Sequence, residues 1–324
     1  MIRAVGLDIP SDVYDVSFRR SPLNERSAQP VLVGIGDDEY GPLVGLFYDD
    51  PSDPDMYLGR PDLAPAHSHP ADNFRICMKG ELWVGSQRYH HGEFRLQRSG
   101  TPYGADGDAP HPEGNWRVIS FADRRGFRVR PTNRESRAEA ATPERFAMIR
   151  EGFGPVLQSL LPDEDDGIQG CVTTIQKNFS KLGHVDSSLT ESYAWEPMGN
   201  GGNIAVTLMG EHTVGPIYIV QRTPARVQAT PAVTFDSDLF RIVVQGSAVT
   251  GEHEADMGDA RFQAGGIEWG EVTAGDMGLV ELIVIGDRRG AAATPTGDQH
   301  GWAERLDELV TGLVAQLPEL AASV

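Results

Sequence analysis

Cysteine is scarce in this chain: Cys77 and Cys171 are the only two in 324 residues. So few exclude a disulfide scaffold, and neither belongs to a CxxC pair of the kind that holds zinc or exchanges electrons. Each reads as a small buried hydrophobe, and a reducing, cytoplasmic setting is expected. Basic residues are outnumbered, with 28 Lys and Arg against 47 Asp and Glu, a net charge of −19. That argues against nucleic acid, whose binding needs cations to displace phosphate counterions, and against anionic membrane surfaces. The surplus acid reads as a solvated surface. No run of about 18 apolar residues occurs, so no membrane-spanning helix is expected. Met1–Pro10 has one Arg and no long apolar stretch, so it does not read as a signal peptide. The motifs GxxxxGK[ST], GxSxG and HExxH are also missing.

What the chain has in quantity is turn residues, 37 Gly and 22 Pro, which favour many short elements. Its length suggests two domains. An internal repeat gives that number substance. Phe74-Arg75-Ile76 and Gly80 match Phe240-Arg241-Ile242 and Gly246 at an offset of 166 residues. The register continues without gaps through Gly85/Gly251, Gly92/Gly258, Arg95/Arg261, Gln97/Gln263, Gly100/Gly266 and Gly104/Gly270, giving 10 identities in 31 positions. Asp123-Arg124-Arg125-Gly126 matches Asp287-Arg288-Arg289-Gly290 at offset 164, and Tyr40-Gly41-Pro42-Leu43 pairs loosely with Val214-Gly215-Pro216-Ile217. The glycines suit positive-φ turns between short strands. Two copies of one β-unit are predicted, over 30–130 and 200–290. Leu82–Val84, Phe94–Leu96, Trp116–Phe121 and Leu279–Ile285 read as strands. Without helices between them they suggest a barrel or sandwich. One helix is expected after each copy: from Thr142, its N-cap, to Leu161, and over Trp302–Leu320, whose apolar stripe would pack on a barrel or a dimer partner. Asp163–Gly167 and Gly199–Asn203 read as exposed turns.

The most informative tripeptide is His67-Ser68-His69. Residues two apart on a strand share a face, so two imidazoles can chelate one metal ion. Asn73 follows, then Gly80, Gly92, Gly100 and Tyr103. With this spacing the chain resembles the cupin superfamily, whose first motif is G-x5-H-x-H-x3,4-E-x6-G and whose second is G-x5-P-x-G-x2-H. His67, His69 and Gly80 match the first; Gly92 and Gly100 match the second. Asn73 stands where the family has its ligand Glu, Tyr103 where it has its third His, and Arg98 where it has Pro. With the duplication, the resemblance implies a mainly β bicupin: two tandem cupin-like jelly-roll β-barrels, each followed by a helix, over 1–165 and 166–324. It also implies a divalent metal ion (Fe, Zn, Mn or Ni) in the first barrel, with His67, His69, Asn73 and Tyr103 as candidate ligands. The third ligand is Tyr103 or His111.

At offset 166 the second repeat carries Val233, Phe235, Leu239 and Trp269 in place of His67, His69, Asn73 and Tyr103. It is expected to hold no metal there and to fill its own barrel. If Asn73 faces inward, strand parity turns Arg75 and Cys77 inward too. A buried Arg must be paired, by a substrate carboxylate or phosphate or by an internal acid. Because Arg241 repeats it, a structural ion pair shared by both repeats is favoured. His90 and His91, before Gly92, are expected at the surface. Tyr103, Arg75 and His111 are the candidate catalytic groups. The expected function is a small-molecule metabolic enzyme working in the first barrel, of metal-dependent dioxygenase, lyase or isomerase type, and acting on an organic acid or phenolic compound. The alternative is a non-catalytic bicupin that binds or senses a small ligand. A homodimer is expected in either case.

Overall fold

The computed structural model describes residues 3–5, 12–17, 31–37, 40–49, 67–69, 71–84, 87–97, 99–101, 115–127, 130–131, 184–187, 195–211, 213–298 and 300–317. Two large antiparallel sheets dominate. The first runs Arg3–Val5, Val31–Gly34, Leu43–Asp49, Asn115–Phe121, Asn73–Lys79, Phe94–Gln97, His184–Ser187. The second runs Glu196–Pro197, Asn203–Leu208, Ile217–Thr223, Val272–Ile285, Leu239–Thr250, Asp259–Gln263, Val13–Ser17. Strand for strand, the two orders correspond. A smaller sheet accompanies each: Arg130–Pro131 with His67–Ser68, and Glu268–Trp269 with Ala232–Thr234 and Thr294–Thr296. The architecture is mainly β and duplicated, as the glycine register predicts. Gly92/Gly258 and Gly100/Gly266 all take positive φ, which any other residue would adopt only under strain.

Two strands cross between the halves of the chain. Val13–Ser17, from the N-terminal half, pairs along Asp259–Gln263 of the second sheet. His184–Ser187, from the C-terminal half, pairs along Phe94–Gln97 of the first. Each half of the chain thus lends one strand to the other's sheet and covers an edge that would otherwise offer unpaired backbone groups. The register sets Asp15 opposite Arg261 and Asp186 opposite Arg95.

Alternation along each strand separates two cores. Val33, Val44, Leu46, Phe74, Ile76, Phe94 and Val118 of the first sheet pack against Tyr218, Val220, Phe240, Ile242, Phe262, Leu282 and Val284 of the second. The sheets therefore meet back to back, with Phe74 stacked on Tyr218 at 5.4 Å and a hydrogen bond of 2.7 Å between the Ser120 and Tyr218 hydroxyls. Their other faces line the two barrel interiors. His90 and His91 are exposed as expected, although the His91 Nε2 reaches the Val244 carbonyl across the interface at 3.0 Å.

Buried aspartates tie the halves reciprocally. Asp72 accepts the Ser99 amide at 2.9 Å and the Gly210 amide of the other repeat at 3.5 Å. Asp238 accepts the Gly265 amide at 3.0 Å and the Gly36 amide of the other repeat at 3.0 Å. The repeated Asp-Arg-Arg-Gly has an equally local purpose. Arg124 donates to the Ile35, Asp37 and Gly41 carbonyls, and Arg288 to those of Met209 and Gly215. The loose match between Tyr40–Leu43 and Val214–Ile217 is thus a structural equivalence: both segments present a carbonyl to the first arginine of an Asp-Arg-Arg-Gly segment.

The C-terminal helix spans Trp302–Val314. The Asp298 carboxylate caps it, accepting the Trp302 and Ala303 amides at 2.9 Å each, which suits the positive end of the helix dipole. Trp302, Ala303 and Leu306 join the second barrel's core. The predicted apolar stripe therefore packs on the barrel. The predicted helix over Thr142–Leu161 and the turn Asp163–Gly167 lie outside the described residues, as does Cys171. No helix among the described residues is long and apolar enough to cross a membrane.

Candidate active site

The inner face of the first barrel is polar. Asn73, Arg75 and Cys77 alternate with core residues along one strand. Arg95 and Gln97 lie on the strand beside it, opposite Arg75 and Asn73. On the other side Arg117 lies opposite Cys77, and Ile119 opposite Arg75. Asn73, Arg75, Arg95, Gln97 and Arg117 are all buried. The Arg75 Nε donates to Asn73 Oδ1 at 3.2 Å, and an Arg95 Nη1 donates to the Tyr89 hydroxyl at 3.4 Å. The Arg117 guanidinium lies 5.8 Å from the centre of the Phe47 ring. The Arg95 Nε, Asn73 Nδ2 and Gln97 Oε1 are buried without a hydrogen-bond partner. Cys77 is buried, and desolvation pushes its thiol up to about 11. It is therefore a neutral packing residue rather than a nucleophile.

His69 is buried at the end of this surface, its ring tilted against Phe121 at 4.8 Å. Its Nδ1 lies 3.1 Å from the Gly126 carbonyl oxygen. A carbonyl only accepts, so Nδ1 carries the proton and Nε2 is the ring's lone-pair atom in the neutral form. A hydrogen bond of this kind fixes the orientation of a metal-binding or acid–base histidine. His67 lies in the strand His67–Ser68, its backbone opposite Pro131; its side chain is not among those described. Tyr103 and His111 also lie outside the described residues.

The described residues do not amount to a divalent-metal site. They supply one imidazole and one amide oxygen, and that oxygen already accepts from a guanidinium whose charge opposes a dication. Among the described residues, no group of three His, Cys, Asp or Glu side chains converges as a metal site would require.

The second barrel has the opposite interior. Val233, Phe235, Leu239 and Trp269, at the positions of the four candidate ligands, are all buried in one apolar cluster with Ile217, Ile219, Val243, Ile283 and Ile285. Trp302 enters from the helix and meets Phe235 edge-on at 6.5 Å. Buried polar groups remain beside this cluster, and one chain of contacts links several of them. The Trp302 indole donates to Gln221 Oε1 at 3.0 Å, Gln221 Nε2 donates to Glu281 Oε1 at 2.6 Å, and Glu281 pairs with Arg241. Arg241 also lies over Trp269 at 5.5 Å. The structural ion pair expected in both repeats is thus formed by Arg241 in the second. In the first, the residue equivalent to Glu281 is Arg117. Sequence reasoning missed Arg95, Gln97 and Arg117 as site residues. Arg95 and Gln97 were visible as repeat identities, and Arg117 as a reversal of charge at offset 164.

A cavity of about 280 Å3 opens at one end of the second barrel under the exchanged strand, lined by Tyr14, Val16, Arg241, Val243, Ala248 and His253 among others. Both of its arginines are paired, Arg261 with Asp15 and Arg241 with Glu281. None of the first barrel's candidate site residues lines it.

No protein-family model and no curated protein matches the chain. Solved structures of similar shape include a candidate dioxygenase from Nostoc punctiforme, with TM-score 0.52, 9% identity and 92% of each chain covered. They also include Bacillus subtilis oxalate decarboxylase: a glutamate-to-alanine point mutant of it at TM-score 0.42 and 13% identity, over 87% of this chain and 78% of that one. The same enzyme at pH 4.6 has TM-score 0.41 and 13% identity, over 84% and 76%. At 9% identity the likeness to the Nostoc protein is one of fold alone.

Proposed function

Taking the chain as having the cupin fold in its two-barrel form, we propose that it is an enzyme acting on a small organic molecule inside the first barrel, with the second barrel as scaffold. One observation carries this reading: where the second barrel has Phe235, Leu239 and Glu281, the first has His69, Asn73 and Arg117. The second is packed with aliphatic and aromatic side chains and closed by Trp302. The first keeps His69, Asn73, Arg75, Arg95, Gln97 and Arg117 buried on its inner face. Burying polar groups costs stability unless they are hydrogen-bonded or paired, and such clusters are candidates for a functional site.

His69 is the residue on which the chemistry turns. With Nδ1 held by the Gly126 carbonyl, Nε2 is fixed in direction and can take a proton from a bound molecule, then return it. The surrounding side chains orient that molecule, and the sheet packed behind them excludes water. The second repeat sets Val233 opposite Trp269. The same register in the first repeat would set Tyr103 opposite His67, which supports Tyr103 as the partner acid. A metal-dependent form of the reaction needs His67 and His69 to share an ion with Tyr103 or His111; the ion would act as a Lewis acid.

The test is a thermal-shift screen of small metabolites on the full chain, followed by turnover assays on the hits. Stabilisation that is lost in His69→Ala and kept in Phe235→Ala is the expected result; the reverse pattern would overturn it. Elemental analysis beside a His67→Ala, His69→Ala double variant decides the metal. About one ion per chain, lost in the variant, establishes metal-dependent chemistry, and none after reconstitution leaves acid–base catalysis at His69.

A further inference from the structure

In the first barrel Cys77, Leu82, Val84 and Tyr89 are buried together in a small apolar cluster. The offset of 166 residues puts Val243, Ala248, Thr250 and Ala255 at the same positions in the second barrel. Strand register agrees: Leu82 lies opposite Tyr89 in one hairpin, and Ala248 lies opposite Ala255 in the other. A leucine and a tyrosine facing one another have both become alanine. That change removes roughly ten side-chain heavy atoms and leaves a void unless the surroundings collapse. They have not collapsed, because all four replacement residues line the cavity of about 280 Å3 in the second barrel. None of Val233, Phe235, Leu239 and Trp269 lines it, so the packing at the candidate-ligand positions leaves this space open. The cavity also has a polar group to offer. In the first barrel an Arg95 Nη1 donates to the Tyr89 hydroxyl at 3.4 Å. Its counterpart in the second, Arg261, is held by Asp15 through hydrogen bonds of 2.7 and 3.0 Å. Arg241 lines the cavity too, is 7% exposed, and has its Nη2 buried without a hydrogen-bond partner. Glu281 already meets the charge of Arg241, so Nη2 needs an acceptor rather than a counter-ion.

We propose that the second barrel binds a small uncharged aromatic molecule with one hydroxyl or carbonyl oxygen, seated where the first barrel has its own Leu82 and Tyr89. The ring takes the space that the alanines vacate, against Val243, Ala248 and Ala255, and the oxygen accepts from the Arg241 Nη2. Cavities walled by apolar side chains take up small aromatic molecules readily. This one has the room of roughly nine waters, which suits a single substituted ring. Tyr14 and Val16 form part of its wall, so the ligand would touch the exchanged strand as well as the barrel. The inference concerns the second barrel and is independent of the reading of the first as the working site.

The test is isothermal titration of the full chain with three probes: 4-methylphenol, which is the tyrosine side chain as a free molecule, toluene, which lacks its oxygen, and benzoate. 4-Methylphenol is expected to bind, and toluene about 10-fold more weakly for want of the hydrogen bond. Benzoate should also bind more weakly than 4-methylphenol, because Glu281 has already neutralised the guanidinium. Ala255→Tyr restores the side chain of the twin and should weaken 4-methylphenol about 100-fold by occupying its place. Arg241→Lys can still pair with Glu281 but has no planar fork, so it should bring 4-methylphenol down to the affinity of toluene. His69→Ala should leave binding unchanged. Equal 4-methylphenol affinity in wild type and Ala255→Tyr overturns the site, and Ala248→Leu carries the same comparison should Ala255→Tyr fail to fold. Loss of binding in His69→Ala would put the ligand in the first barrel and overturns it as well. Toluene binding as tightly as 4-methylphenol overturns the role of Arg241, and benzoate binding more tightly overturns the uncharged class. Absence of 4-methylphenol binding overturns the inference outright.

Discussion

The two barrels of this chain share strand order, glycine turns and buried aspartate ties, yet one is closed by its own side chains and the other is lined with unlike chemistry. The difference shows how a duplicated fold divides its duties. The frame is held by positions that stay the same: Asp72 and Asp238, Arg124 and Arg288, Gly92 and Gly258. Among the described inward-facing positions, Asn73, Cys77 and Arg117 diverge from Leu239, Val243 and Glu281. In the second barrel the divergent positions became Val233, Phe235, Leu239 and Trp269, and a helix brought Trp302 to complete the packing.

The comparison breaks most sharply at Glu281. It is fully buried, pairs with Arg241 and accepts from Gln221. Glu281→Ala leaves a guanidinium buried beside an empty partner site and should cost about 3–5 kcal/mol, read as a lowered urea midpoint. The double variant Arg241→Met, Glu281→Leu should recover most of that loss, because an apolar replacement of the whole pair leaves no uncompensated charge. If the single variant costs under about 1 kcal/mol, the claim that the second barrel balances its charges internally is wrong.

The reciprocal aspartates give a smaller effect and a finer test. Asp238→Ala strands the Gly36 and Gly265 amides, and Asp72→Ala strands those of Ser99 and Gly210. Each should cost about 1–3 kcal/mol. Asp238→Ala should be the larger, because its cross-repeat contact is 3.0 Å where that of Asp72 is 3.5 Å. Paired melts of the two variants check the order.

Much of the frame was legible in the sequence because glycine at positive φ leaves few alternatives: the offset of 166 follows from turns that only such residues make comfortably. The closed second barrel was legible too, since four candidate ligand positions turned apolar together. The strand exchange was not. Val13–Ser17 and His184–Ser187 are short and unlike in sequence, and their pairing is decided by which sheet edge they meet in three dimensions. Arg117 escaped for a different reason: its meaning depends on Glu281 occupying the same place in the twin, and a reading that follows histidine spacing does not compare charges across repeats.

The smallest expected effect compares Cys77 with Val243, its counterpart. Burial raises the thiol from 9.0 to about 11 in the folded protein. Below pH 9 the group is protonated folded or unfolded and costs nothing. Between pH 9 and 11 the unfolded chain sheds its proton while the folded chain keeps it. The folded state then binds more protons, and stability falls as pH rises. At pH 10 the loss should be about 1 kcal/mol. Cys77→Val transplants the second barrel's residue, is close in volume, and removes the titration. Its urea midpoints should match wild type near pH 7 within experimental spread and exceed it by that margin at pH 10. Parallel pH profiles for the two proteins would mean that the thiol meets water in the native barrel, and that the interior around Arg117 is wetter than its burial implies.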